Sequence, residues 1–284
     1  MFSRRWIINY ILIFLIVLFT YIGNRFDVET GYQPQQSVTS LKPESIGTME
    51  IQTADAKLIL RREEDGWMLE SPIRWPANDG DVERLLGITS VKTDSRLAAE
   101  EIDLETLGLQ FPKASLRLNE TLVLFGDTNN IGARRYTMVG STVYLLPDML
   151  LPFMSQGLTG IVDQSLLPRR FELSALKLPG HEIIRDANNT WRLIDAKGIG
   201  QEQIAKLVDN WQNLQALRVK PFSAEKIPQQ KITTRLADGR NHDFFVMSID
   251  PEIVIANPQI SLQYHFPADL YYQLISLRTD ETSG

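Results

Sequence analysis

The first twenty-five residues constrain this chain more than any other part of it. From Trp6 to Gly23 the sequence reads WIINYILIFLIVLFTYIG, eighteen residues without a charge. A helix of that length reaches roughly 27 Å, close to the ~30 Å hydrocarbon core of a bilayer. Such a helix can stand alone in lipid because its backbone hydrogen bonds are internal. Trp6, Tyr10 and Tyr21 lie toward its ends, where amphipathic rings favour the membrane interface. Arg4 and Arg5 precede it, and Arg25 comes after it. That modest bias favours an N-terminus inside and the bulk of the chain outside. A buried core helix is disfavoured, since few core helices are apolar on every face. A removed signal peptide is the more serious rival, but Tyr21 to Arg25 (YIGNR) offer no A-x-A-like cleavage site. The segment therefore reads as a signal anchor. Residues 1–5 are expected in the cytoplasm and 6–23 across a bacterial inner membrane. The rest of this single-pass protein is expected in the periplasm or outside.

Residues 24–47 carry Pro34, Pro43, paired glutamines and scattered Ser and Thr, and read as a spacer. The chain beyond residue 47 is long enough to bury a core without covalent staples. There is no cysteine, which excludes a disulfide framework, a thiolate nucleophile and a cysteine zinc site. The net charge is −6 and no basic run stands out, so nucleic acid is not an expected partner.

The expected fold class is α+β: a transmembrane helix, then a β-rich domain of two similar antiparallel-sheet-plus-helix repeats. Lys57–Arg61 and Trp67–Leu69 flank an Asp-Gly turn, a hairpin signal. A helical pattern covers 81–90, with Val82, Leu85 and Leu86 on one face. Strand-like runs come next at 115–118, 121–125, 135–139 and 142–146, and Pro147 opens a short helix. The order then recurs. Residues 182–185 and Trp191–Leu193 are succeeded by a helix over about 200–216. Strand-like runs at 231–236, 243–247, 252–256 and 259–265 precede a helical ending opened by Pro267. Trp67 aligns with Trp191 at an offset of 124 residues. Tyr144 and Pro147 align with Tyr264 and Pro267 at an offset of 120. The first repeat is expected over 48–154, a linker over 155–169, the second repeat over 170–275 and a polar tail over 276–284. The six matched residues are read as architectural.

Catalytic patterns are missing from the sequence. The three histidines, His181, His242 and His265, have no metal-ligand spacing, so no metal site and no cofactor is expected. The run from Asp127 to Gly132 starts like a calcium loop, but its twelfth position is Met138. There is no nucleophile elbow, phosphate loop or dinucleotide fingerprint. Leu107-Gly108-Leu109 before Phe111-Pro112 suggests a tight bend packed on the core.

Gly66-Trp67-Met68-Leu69 with Ser71-Pro72, the Val82, Leu85, Leu86 helix, Leu107-Gly108-Leu109 with Pro112, Leu122 to Gly126, and Tyr136 resemble a large bacterial family catalogued only as a domain of unknown function. Its members often carry one N-terminal membrane helix, and some are encoded beside ABC-transporter subunits of the gliding-motility type. The resemblance runs over about residues 48–275. It implies a membrane-tethered extracytoplasmic accessory protein and carries over no catalytic residue. The leading expectation is therefore a non-enzymatic interaction or assembly module. Its partners would be the lipid bilayer and a membrane-protein complex such as an ABC-type transport system. A ligand-binding module using the groove between the repeats is the alternative, and an envelope hydrolase is a weaker one.

Overall fold

The structure, a computed structural model, describes residues 13–18, 35–130, 132–168, 170–194, 199–222 and 227–277. Among them no helix is long and apolar enough to cross a membrane. Within the apolar segment, residues 13–18 are helical (α1), and all six side chains are exposed. The anchor residues Arg4, Arg5, Trp6, Tyr10 and Tyr21 lie outside the described residues, as do spacer residues 24–34 and the end of the tail from residue 278.

The chain joins the fold earlier than Thr48. Strand β1 (Gln36–Ser37) pairs with β6 (Lys92–Thr93), and Val38 and Ile46 are buried. The latter part of the expected spacer is thus stitched to the domain. Val38 and Ile46 look like isolated apolar residues in a polar stretch, which is why the sequence pattern conceals it.

The architecture is α+β, with mostly antiparallel sheets and few helices. The first large sheet uses β2 (Thr48–Thr53), β3 (Lys57–Glu63), β4 (Gly66–Ser71), β5 (Trp75–Pro76), β7 (Arg96–Ala98), β8 (Ala114–Leu118), β9 (Thr121–Thr128), β10 (Arg134–Val139) and β11 (Thr142–Pro147). Its order is β5-β4-β3-β2-β8-β9-β10-β11-β7. The second uses β12 (Leu173–Leu178), β13 (His181–Arg185), β14 (Trp191–Ile194), β15 (Arg218–Pro221), β16 (Gln230–Leu236), β17 (Asn241–Ser248), β18 (Glu252–Asn257) and β19 (Leu262–Pro267). Its order is β14-β13-β12-β16-β17-β18-β19-β15. Apart from β5, the two orders are the same, strand for strand.

Alternation explains the sheets. In β8, Ala114, Leu116 and Leu118 are buried while Arg117 points to solvent. In β16, Ile232, Thr234 and Leu236 are buried while Lys231 and Arg235 are exposed. A period of two puts one set of side chains on the core face. Helices cover those faces. In the first half α2 (Asp79–Leu86) buries Val82, Leu85 and Leu86, and the Asn78 side chain caps it by accepting from Asp81 N. The short α3 (Leu150–Met154) buries Phe153 and Met154. In the second half α4 (Gln201–Asn213) buries Ile204, Leu207, Val208 and Trp211. The Trp211 ring meets Phe244 of β17 edge-on at 5.1 Å. Its Nε1 donates to the Leu274 carbonyl of α5 (Tyr271–Leu274) at 2.8 Å.

The first-half pattern over 81–90 resolves into α2 and a 3-10 turn over Gly87–Ser90. Strands β7, β12 and β15 carry no clean alternation and are additions by the structure. Residues 259–265 divide into a 3-10 turn at Pro258–Ile260 and the strand β19. Strand β18, apolar enough to suit an exposed edge, lies between β17 and β19 and is fully paired.

Candidate functional site

The two halves meet along residues 161–167, and the local sequence, IVDQSLL, is apolar enough to be buried there. Ile161, Val162, Leu166 and Leu167 are all buried. The segment bonds to both halves at once. Asn78 N donates to Ile161 O at 2.8 Å and Asp163 N donates to Pro76 O at 3.0 Å. On the other side Leu167 N donates to Trp211 O at 2.9 Å and Ala216 N donates to Gln164 O at 3.0 Å. One continuous apolar core consequently runs through both sheets and the linker. The expected linker is the clasp of the molecule.

Arg170 tightens the clasp. Its guanidinium donates to Trp67 O at 2.6 Å and to both carboxylate oxygens of Asp79 at 3.1 Å. Asp79 also accepts from Trp67 N at 3.2 Å. The group lies against Gly66, at φ +112°, where a Cβ would stand 2.0 Å from an Arg170 nitrogen. Glycine there serves the turn and the close approach together.

Above the clasp lies a cleft of about 770 Å³ between the halves. Trp75, Phe171 and His242 form its wall, with ring centroids 4.7 to 5.7 Å apart. Arg74, Arg170 and Arg240 stand around it. Each guanidinium is already paired: Arg74 with Glu63 at 2.8 Å, Arg170 with Asp79, and Arg240 with Asp238 at 2.7 Å. The cleft therefore offers little uncompensated charge. His242 Nδ1 lies 2.7 Å from Gln259 Oε1. A carboxamide oxygen accepts, so Nδ1 carries the proton and Nε2 is left as a bare acceptor. That Nε2 is buried and meets no partner among the described residues. Burial holds the imidazole below its usual pKa, against the bond to Gln259.

Beneath the wall sits a buried polar group. Burial pushes the Tyr264 phenol well up, the Asp163 charge adds to this, and the Trp75 indole acts the other way. Desolvation also raises the Asp163 carboxyl, against bonds from the Ser165 backbone and side chain. Ser165 Oγ in turn accepts from Gln215 Nε2 at 2.8 Å.

The six residues singled out from the sequence occupy matching places in the two sheets. Trp67 is buried near the start of β4, and Trp191 is half-buried at the start of β14. Tyr144 pairs with Thr137 and Arg96, while Tyr264 pairs with Ile255 and Val219 of the corresponding strands. Pro147 sits opposite Arg134, the first residue of β10, and Pro267 opposite Glu252, the first of β18. Of the six, Tyr264 reaches the buried polar group at the junction, and Trp67 meets the clasp through its backbone, which bonds Arg170 and Asp79. Sequence reasoning missed Trp75, Asp163, Arg170 and Phe171 and weighed His242 only as a metal ligand; the five converge from separated stretches. The Trp75-Pro76 pair ahead of a helix was the one local sign.

The histidines are scattered. His265 Nδ1 faces Glu252 at 3.2 Å, and His181 opens β13. Among the described residues no three acidic or histidine groups gather to hold a metal. Asp127, in the calcium-like run, pairs instead with Lys113 at 2.5 Å. The Leu107–Leu109 bend is tight: Gly108 has φ +65° and Leu109 is buried.

One family model, described as a domain of unknown function (DUF4340), matches residues 67–226, more than half of the chain. The match begins in β4 and ends beyond β15, so it takes in parts of both sheets and the clasp between them. No curated protein and no solved structure matches.

Proposed function

Because this chain belongs to the DUF4340 family, for which no reaction guides the assignment, we propose its role from its own geometry: a membrane-tethered, extracytoplasmic interaction module. It would serve as an accessory subunit of a membrane complex such as an ABC-type transport system. One observation carries the reading. The helical residues 13–18 are all large and apolar, and they are 38% to 65% exposed. Apolar surface of that kind calls for another apolar environment. With an uncharged run of eighteen residues around it, lipid is the fitting one.

The clasp supports the interaction role. A continuous core through both halves makes the domain a rigid body, suited to holding a partner at a fixed place. Ligand capture by closure needs a hinge between lobes, and here the linker is buried and bonded to both sides. The paired guanidinium groups of the cleft likewise favour an internal, structural use. Purification of the full chain from native membranes in mild detergent tests the role. Integral subunits of a transport complex are expected to co-purify in fixed stoichiometry. Recovery of the chain alone, from membranes where such subunits remain intact, would sink it.

A further inference from the structure

The first sheet holds a second pocket that an interaction role leaves unused. Its volume is about 340 Å³, within the usual range for small-molecule sites. Ile88, Val91, Phe125, Leu146 and Leu150 supply an apolar wall. At its base Arg135 is buried and held by Asp148 through two bonds of 2.7 and 2.6 Å, and it also donates to Gly126 O. That charge is neutralised inside the domain. Arg84 is similarly engaged, with Asp81 at 3.4 Å and the Phe153 ring at 4.8 Å. Lys92 and Arg134 differ. Both line the pocket, and neither has an acidic side-chain partner among the described residues. Two cations with no acidic partner among the described residues, beside an apolar wall in a chain of net charge −6, form a local exception.

The position of the pocket identifies its occupant. Strand β1 pairs Gln36 with Thr93 and Ser37 with Lys92. The chain coming from the apolar segment therefore joins the domain at the rim of this pocket. The stretch from Gly23 to Gln36 can reach at most about 45 Å when fully extended. Met149, 71% exposed, lines the same pocket.

We propose that this pocket binds an anionic membrane lipid, with Lys92 and Arg134 on the phosphate and the apolar wall around the upper acyl chain. Arginine offers a fork matched to phosphate oxygens, and lysine adds a point charge. The lipid's origin rests on the tether reading, while the binding itself is measurable without a bilayer.

The test is native mass spectrometry of the full chain released from a neutral maltoside micelle. The probes are lysophosphatidylglycerol, lysophosphatidylcholine and inorganic phosphate. One lysophosphatidylglycerol per chain is expected, held at least about tenfold more tightly than the neutral lysolipid, since each basic side chain near an anionic head contributes severalfold in affinity. Phosphate alone should not displace it. The double variant Lys92→Gln/Arg134→Gln should weaken binding by about 25-fold, two such contributions, with an unchanged melting curve. Val91→Trp, which narrows the pocket and leaves both charges, should also weaken it; if that variant does not fold, the double variant decides. Equal binding of the two lysolipids, full displacement by phosphate, or undiminished binding in the double variant would each overturn the proposal. A failed membrane-sidedness test with selective lysolipid binding would overturn only the tether reading.

Discussion

Trp75 is 1% exposed, yet it belongs to a strand of two residues at the edge of its sheet. Its burial comes from the other half of the molecule, through Phe171 and His242. Trp75→Ala should therefore cost about 3–5 kcal/mol, read as a lowered urea midpoint at an unchanged slope. A loss under about 1 kcal/mol would mean the junction collapses around the cavity. Asp163 makes a subtler prediction. Its folded pKa is raised by desolvation above the usual 3.8, so the folded state holds its proton longer than the unfolded state does. Stability then falls as pH rises through the window above 3.8 and stays lowered beyond it. Asp163→Asn removes an ionisable group while keeping an acceptor for Ser165 N. The variant should be the more stable protein at about pH 7, and its advantage should vanish below pH 3.8; denaturant titrations at the two pH values check this. None of these residues stood out in the sequence. Arg170 and Asp79 are 91 positions apart, and a contact of that range leaves no local pattern.

At the scale of elements the sequence was more legible. Helices α2 and α4 carry apolar residues at helical spacing, so their faces could be read directly. Strands β8 and β16 alternate cleanly for the same reason. The edge strands β7 and β15 were hidden because β7 buries no residue and β15 only one, and a strand without a buried face has no period to detect. Strand β12 was obscured by its adjacent buried pair, Ala175 and Leu176, which breaks the alternation. The Leu107-Gly108-Leu109 bend owes its seat to Gly126 in β9. A Cβ at Gly126 would stand 2.3 Å from the Leu107 carbonyl oxygen. That neighbour is backbone and cannot swing aside. Gly126→Ala should cost about 1–3 kcal/mol and loosen the bend, visible as faster amide exchange at Asp127, whose N–H donates to Leu107 O at 2.8 Å. Unchanged exchange and stability would show that the bend has room to move.

For the whole molecule, the shared strand order and the common core make two sheets into one body. The sequence carried the order of elements twice, in Trp67 and Trp191 and in the Tyr-Pro pairs. It could not carry how the halves dock, because the clasp reads as a linker when only its composition is seen. The role of the domain depends on where the apolar segment holds it. On the proposed tether, joining of the chain to the domain at β1 would bring one end of the first sheet, and the pocket there, within reach of a membrane. The most direct measurement of the tether is sidedness. Native cells are converted to spheroplasts, treated with protease, and the membranes then extracted with alkaline carbonate. A tethered outer domain is expected to be cut from outside in intact spheroplasts, and the uncut chain to stay in the carbonate-resistant membrane pellet. A chain protected until the cells are lysed, or one released by carbonate, would contradict it.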